Sequence, residues 1–357
     1  MASCAIGAAL AIAHGLALVV LIGLPAHANE LTRAAAPLPT KLTDTDLYVP
    51  GSESVVRPGN LPFSPQYPLW SDGATKRRWL HIPPGTFIDG SRPDAWEFPP
   101  GTKVWKEFTH GRRIETRLIE RLHDGTWRYA TYIWNEEGTQ ALLAPAEGIP
   151  TLPVTTAPHG RYVIPAEFDC RACHESAAVP VLGVSALQLS PDRDPLAPHA
   201  EPLRPGDTDL QALVARGWLR NLPATSGDRA PRIAAPSPES RAALGYLHGN
   251  CGHCHNDNGS PAPVDLVLAR RTVDDISYES ILRSLVGVPA RYRPHGMRAG
   301  APLLDASRPE TSVLAARMRS RNALAQMPPL GTQLVDNESL DLIERWIRQL
   351  PPKEANR

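Results

Sequence analysis

Two five-residue stretches carry the pattern Cys-x-x-Cys-His: Cys170–Arg171–Ala172–Cys173–His174 and Cys251–Gly252–His253–Cys254–His255. Two thiols about one helical turn apart match the two vinyl groups on one edge of a haem. Their addition forms two thioethers, and the histidine next in sequence then lies beneath the iron as proximal ligand. The pattern predicts two haem c groups, held covalently by Cys170, Cys173, Cys251 and Cys254, with His174 and His255 on iron. Three rival chemistries use the same cysteines. A four-cysteine zinc site accepts both Cys-x-x-Cys knuckles but has no need of a histidine after each. A thioredoxin-like dithiol wants a βαβ setting, which neither stretch has. Structural disulfides, the first guess for an even cysteine count in an oxidising compartment, leave the histidines unexplained.

A sixth ligand for the second iron is expected from Met327. The prolines of Met327–Pro328–Pro329 stiffen a loop and suit holding a sulfur against iron, and thioether ligation raises the potential. For the first iron the choice stays open among Met297, Met318, His295, His199 and His159, with Met297 entered as the distal candidate; an open sixth position is the alternative. His248 lies just before the second motif and His253 within it, which places them poorly for the first iron.

The elements that must position these groups change character along the chain. From 61 to 165 the pattern is β, and six of the eight tryptophans fall there: Trp70, Trp79, Trp96, Trp105, Trp127 and Trp134. Residues 113–122 read as a half-buried strand and His123–Asp124–Gly125–Thr126 as a hairpin turn. Residues 127–134 form the returning strand. The tryptophans are expected to fill a core rather than form a ligand cage. From 166 onward the signals turn helical and loop-rich. Asp209 caps a short helix through Leu213 that Gly217 closes. Ser237–Pro238–Glu239 starts a helix running to about Gly249. Asp336 caps a last helix whose stripe is Leu340, Ile343, Trp346, Ile347 and Leu350. The expected class is α+β: an N-terminal antiparallel β module, then a mainly α, loop-rich cytochrome c region carrying two haems. The expected segments are 1–28, 29–60 (a Pro/Ala-rich arm), 61–165, 166–230 (first haem) and 231–357 (second haem).

Length and composition set outer bounds. The 357 residues suffice for two ordinary domains, and 37 basic residues balance 37 acidic ones. Nothing in that balance favours a nucleic-acid partner. The 38 prolines are about twice the usual ~5% share and disfavour long helices and wide sheets. The first 28 residues carry no acidic or basic side chain other than histidine and end in Ala26–His27–Ala28. They read as a secretory signal lacking the usual n-region cation, with an uncleaved anchor as the alternative. Export would place the chain in the periplasm, with no transmembrane segment left after cleavage. Cys4 precedes the apolar run and would leave with the signal.

Several stretches resemble an exported family of dihaem c-type cytochromes: Pro68–Leu69–Trp70–Ser71–Asp72–Gly73–Ala74 with Lys76–Arg77–Arg78–Trp79, Trp96–Glu97–Phe98–Pro99, Gly101–Thr102–Lys103–Val104, Ile114–Glu115–Thr116–Arg117–Leu118 and Tyr132–Ile133–Trp134–Asn135. Val181–Leu182–Gly183, Tyr246–Leu247–His248–Gly249–Asn250–Cys251 and Met327–Pro328–Pro329–Leu330–Gly331–Thr332 continue the likeness, which spans roughly 60 to 350. Ser190 stands where the pattern leads one to expect Asn, and no ligand depends on it. The resemblance implies a periplasmic electron-transfer role with redox partner proteins, including quinoprotein sugar or alcohol dehydrogenases. An electron carrier is thus the leading expectation. A dihaem enzyme of peroxidase or oxidase type, with an open first iron, is the second. A β module that binds a carbohydrate or a dehydrogenase through Ser71–Asp72–Gly73 and Arg77–Arg78 is the third, although those residues also read as a turn and a solvated strand edge.

Overall fold

Alternation of large apolar side chains with polar ones between Thr75 and Leu143 builds one antiparallel sheet. In chain order the strands are β1 (Asn60–Pro62), β2 (Thr75–His81), β3 (Ile88–Asp89), β4 (Lys103–His110), β5 (Arg112–Arg121), β6 (Trp127–Trp134), β7 (Ala141–Leu143), β8 (Ile149–Pro153), β9 (Arg161–Ile164) and β10 (Leu219–Arg220). The helices are α1 (Glu167–His174), α2 (Leu210–Ala215), α3 (Pro238–Asn250), α4 (Tyr278–Leu285), α5 (Val313–Arg319) and α6 (Asn337–Gln349). The computed structural model describes Met1 and residues 36–223, 230–258, 266–271 and 278–352. The expected signal peptide, Met1 apart, and the start of the arm lie outside the described residues.

The main sheet has the order β1-β2-β4-β5-β6-β7. The β5–β6 hairpin has the expected strands, and Gly125 supplies the turn's positive φ of 84°. β8 and β9 form a separate hairpin, while β10 pairs in parallel with β3. The class is α+β, as the sequence implied.

Both faces of the sheet are covered, which is why β4 alternates only loosely in sequence. On one face Trp79, Trp105, Leu118, Tyr132 and Trp134 pack under Leu42, Leu47 and Tyr48. Trp105 Nε1 donates to Thr45 Oγ1 at 3.0 Å. The stretch expected as a leader or loose arm is therefore core from Leu42 onward. On the other face Leu80, Val104, Ile119 and Tyr129 meet Val181, Val184, Leu189, Leu213 and Leu219. The chain after the first Cys-x-x-Cys-His motif thus caps the sheet instead of standing apart from it. The described residues from 37 onward make one compact unit.

The helical part is built on α3 and α6, each capped as its sequence indicates: Ser237 Oγ accepts from Ser240 N at 3.1 Å, and Asp336 Oδ1 from Ser339 N at 3.2 Å. Ala243 and Leu247 of α3 share a core with Leu340, Ile343, Trp346 and Ile347 of α6. Tyr67, from the loop after β1, is wedged against α3. A Cβ at Gly245 would lie 2.0 Å from Tyr67 Cε1, and one at Gly249 2.3 Å from the Tyr67 carbonyl oxygen. Only glycine admits this approach. Among the described residues no helix is long and apolar enough to cross a membrane.

Candidate functional site

The first motif lies on α1, which is started by Asp169 accepting the backbone N–H of Ala166 at 3.0 Å and lies against β6. Cys170, Cys173 and His174 occupy its last two turns. His174 Nδ1 is 2.5 Å from the carbonyl oxygen of Pro180. A carbonyl can only accept, so Nδ1 carries the proton and Nε2 keeps its lone pair. Burial pushes the His174 pKa down to about 4, which keeps the ring neutral at pH 7. A neutral imidazole oriented by a backbone carbonyl through its far nitrogen is the usual state of a metal-ligating histidine. The Tyr129 ring lies 5.6 Å from it, centroid to centroid.

The second motif follows the C-terminus of α3 directly. His255 N donates to Cys251 O at 2.8 Å, which tightens the motif into a turn. His255 Nδ1 is buried without a hydrogen-bond partner, and burial lowers its pKa. His248 Nδ1 accepts from the backbone of Arg270 at 3.0 Å and lines the cavity.

The two motifs touch. Asn256 Nδ2 donates to Ser176 O at 2.9 Å and to Gly252 O and His253 O in its own motif. A hydrogen bond to the Cys254 sulfur, with burial behind it, pushes the Cys173 thiol up to about 12, and the same contact lowers Cys254. His253 acts electrostatically on Cys173 and His174. Sequence position had set His253 apart from the first motif; tertiary packing places it there.

One cavity of about 1560 Å³ is lined by both cysteine pairs, His174, His255 and Met327. That exceeds the ~300–1,000 Å³ of ordinary small-molecule pockets. The Met327 loop is folded round Gln326, whose Nε2 donates to the carbonyls of Pro328, Pro329 and Thr332 at 3.3–3.4 Å. Asp72 fastens its far end, accepting from the backbone of Gln333 and Leu334 at 2.9–3.0 Å.

The other distal candidates separate. Met297 closes a turn onto Pro294 O at 3.1 Å and is not on the cavity wall. His199 Nε2 donates to the Asp336 carboxylate at 2.8 Å, at the start of α6. Met318 is 7% exposed, in the helical core at the cavity's edge. His295 is exposed, and His159 sits on the wall with a φ of 57°. The four thiols are free. Among the described residues no group of three or more His, Cys, Asp or Glu side chains is placed to hold a metal ion.

Sequence reasoning missed the roles of Asp72, Asn250, Asn256 and Gln326. Asn250, one residue before Cys251, accepts from Trp70 N at 2.8 Å and donates to Pro68 O at 3.2 Å. The one available signal was that the Pro68–Ala74 stretch and the residues around Cys251 belong to the same resemblance. Comparison of the chain with protein-family models, with curated proteins and with solved structures returned no match in any of the three.

Proposed function

We propose that the chain is an exported dihaem c-type cytochrome that passes electrons in the periplasm, from a periplasmic dehydrogenase, of which a quinoprotein is one candidate, to a respiratory acceptor. The observation that carries this reading is that two complete Cys-x-x-Cys-His motifs line one cavity and lie against each other, Asn256 just after the second donating to Ser176 O just after the first at 2.9 Å. Each motif offers two free thiols and an imidazole shifted toward its neutral form by burial, the donor set a thioether-linked haem requires. When bound, such a group supplies one-electron exchange between ferric and ferrous iron.

The chain's own part is positional. Cys170 and Cys173 would hold one haem, and Cys251 and Cys254 a second. His174, oriented by Pro180, would supply its imidazole to the first iron. Met327, on a loop held by Gln326 and Asp72, would supply its sulfur to the second. Export rests on the apolar first 28 residues.

A denaturing gel stained for haem peroxidase activity tests the attachment, and a pyridine haemochrome titration counts the groups. Two haems per chain are expected, and one after the double change Cys170→Ala/Cys173→Ala. A blank gel for the unaltered chain sinks the proposal.

The dihaem-enzyme reading draws on one observation, the position of Met297, the distal candidate for the first iron, off the cavity wall. CO binding by the reduced protein together with peroxide turnover would favour it over the carrier.

A further inference from the structure

Four basic side chains stand in a row on the cavity side of the sheet. Strand register sets Arg78 of β2 opposite Lys106 of β4, and Lys106 opposite Arg117 of β5, with Lys76 two residues before Arg78 on the same face. Like charges directly opposed across strands destabilise a sheet, and a buried charge is costly unless paired. Arg78, Lys106 and Arg117 all line the cavity.

Few carboxylates pair directly with this row. Arg117 pairs with Glu115 at 2.5 Å, but Glu115 also accepts from Tyr162 at 2.7 Å. Arg78 reaches Glu201 only at 3.5 Å, and its buried Nη1 and Nη2 have no hydrogen-bond partner. Lys76 Nζ donates to the Leu69 carbonyl at 2.9 Å. Lys106 Nζ rests over the Phe108 ring at 4.8 Å, a ring that Arg117 also covers at 4.3 Å. Among the described residues Glu115 and Glu201 are the carboxylates that pair directly with the four, and Glu201 is shared with Arg204, while Asp207 and Asp336 act on the row electrostatically. Burial, reinforced by the neighbouring cations, lowers Lys76 to about 7 and Lys106 well below its ordinary value. The row also lies next to the first motif: Lys106 acts electrostatically on His174, and Arg117 on Cys170.

We infer that this row is a dicarboxylate site, and that the two carboxylates it takes are the propionates of the haem fastened at Cys170 and Cys173, with Arg78 and Lys106 as their direct partners. The assignment rests on the dihaem proposal and deepens it. It explains why a sheet facing the cavity carries cations where a purely structural face would carry aliphatic side chains. Two anionic oxygen pairs would complete the donors that Arg78 leaves unmatched.

The test is a redox titration of the full-length haem-loaded protein, with its two haems resolved, for Lys106→Met and Arg78→Met. A cation beside a ring stabilises the ferrous state, so its removal favours ferric iron. At fixed ambient potential the ferric-to-ferrous ratio of the first haem should rise about tenfold in Lys106→Met, a 59 mV fall, with the second haem unmoved. Lys106→Arg should restore it. If Lys106→Met does not accumulate with haem, Lys106→Gln is read in the same way. Two haems on the gel with unshifted potentials in both neutral variants, or a shift confined to the second haem, overturns the inference and leaves the dihaem proposal standing. A blank gel for the unaltered chain removes both.

Discussion

The carboxylate of Asp72 accepts the backbone N–H of Gln333 through both its oxygens, at 3.0 and 2.9 Å, although 261 positions separate them. Its Oδ1 also takes the N–H of Leu334 at 3.0 Å. A turn of the β module thereby holds the loop that carries Met327. Asp72→Ala should cost about 1.5–3 kcal/mol, the usual range for hydrogen bonds to a charged group. It should also weaken the far-red absorption band of methionine-ligated ferric haem. Thermal unfolding and an absorption spectrum of the oxidised protein read the two effects. A full-strength band in Asp72→Ala would show that the loop needs no such anchor.

Met327→Ala should abolish that band and lower the potential of one haem only, since loss of the thioether removes its preference for ferrous iron. Met297→Ala should alter neither, as its side chain is away from the cavity wall. The two variants measured side by side assign the ligand. A band lost in Met297→Ala would reverse the assignment.

Tyr67 and α3 make a paired prediction. Gly245→Ala drives a methyl into the Tyr67 ring and should destabilise by about 1–3 kcal/mol. Tyr67→Ala in the same chain should recover part of that loss. Gly249→Ala meets the Tyr67 backbone, so the same second change should not help it. Denaturant midpoints of the four single and double variants check this, and equal rescue at both glycines would contradict the geometry.

Asp336 gives the protein an acid-sensitive element. Burial by itself would raise its pKa, but hydrogen bonds from His199 and Ser339 outweigh this and hold it below the ordinary 3.8. A carboxylate depressed in the folded state contributes its full stabilisation above the unfolded value and loses it as pH falls from about 3.8 through the lower folded value. Stability should therefore decline below pH 4. Asp336→Asn should flatten that decline, while Asp336→Ala should lose about 0.5–2 kcal/mol at neutral pH with the cap. An unchanged acid limb in Asp336→Asn would count against this residue.

The segment ahead of the sheet should behave as core. Leu47 is fully buried against Trp79 and Trp105, so Leu47→Ala should cost about 2–5 kcal/mol. A loss under ~0.5 kcal/mol in denaturant unfolding would return residues 37–60 to the status of an arm.

What the sequence determined unaided was local. The β5–β6 hairpin, the Ser237 and Asp336 caps and the two Cys-x-x-Cys-His spacings are fixed by neighbours within a few residues, where periodicity, capping and ligand spacing act directly. Tertiary structure alone decided the rest. It put Leu42 and Leu47 beneath the tryptophans, set His253 beside Cys173, tied Asp72 to Gln333, and drew Lys76, Arg78, Lys106 and Arg117 onto one face of the sheet. Each of these depends on which distant surfaces are buried against each other. A charged residue such as Lys106 has the same sequence signature whether it faces water or a cavity.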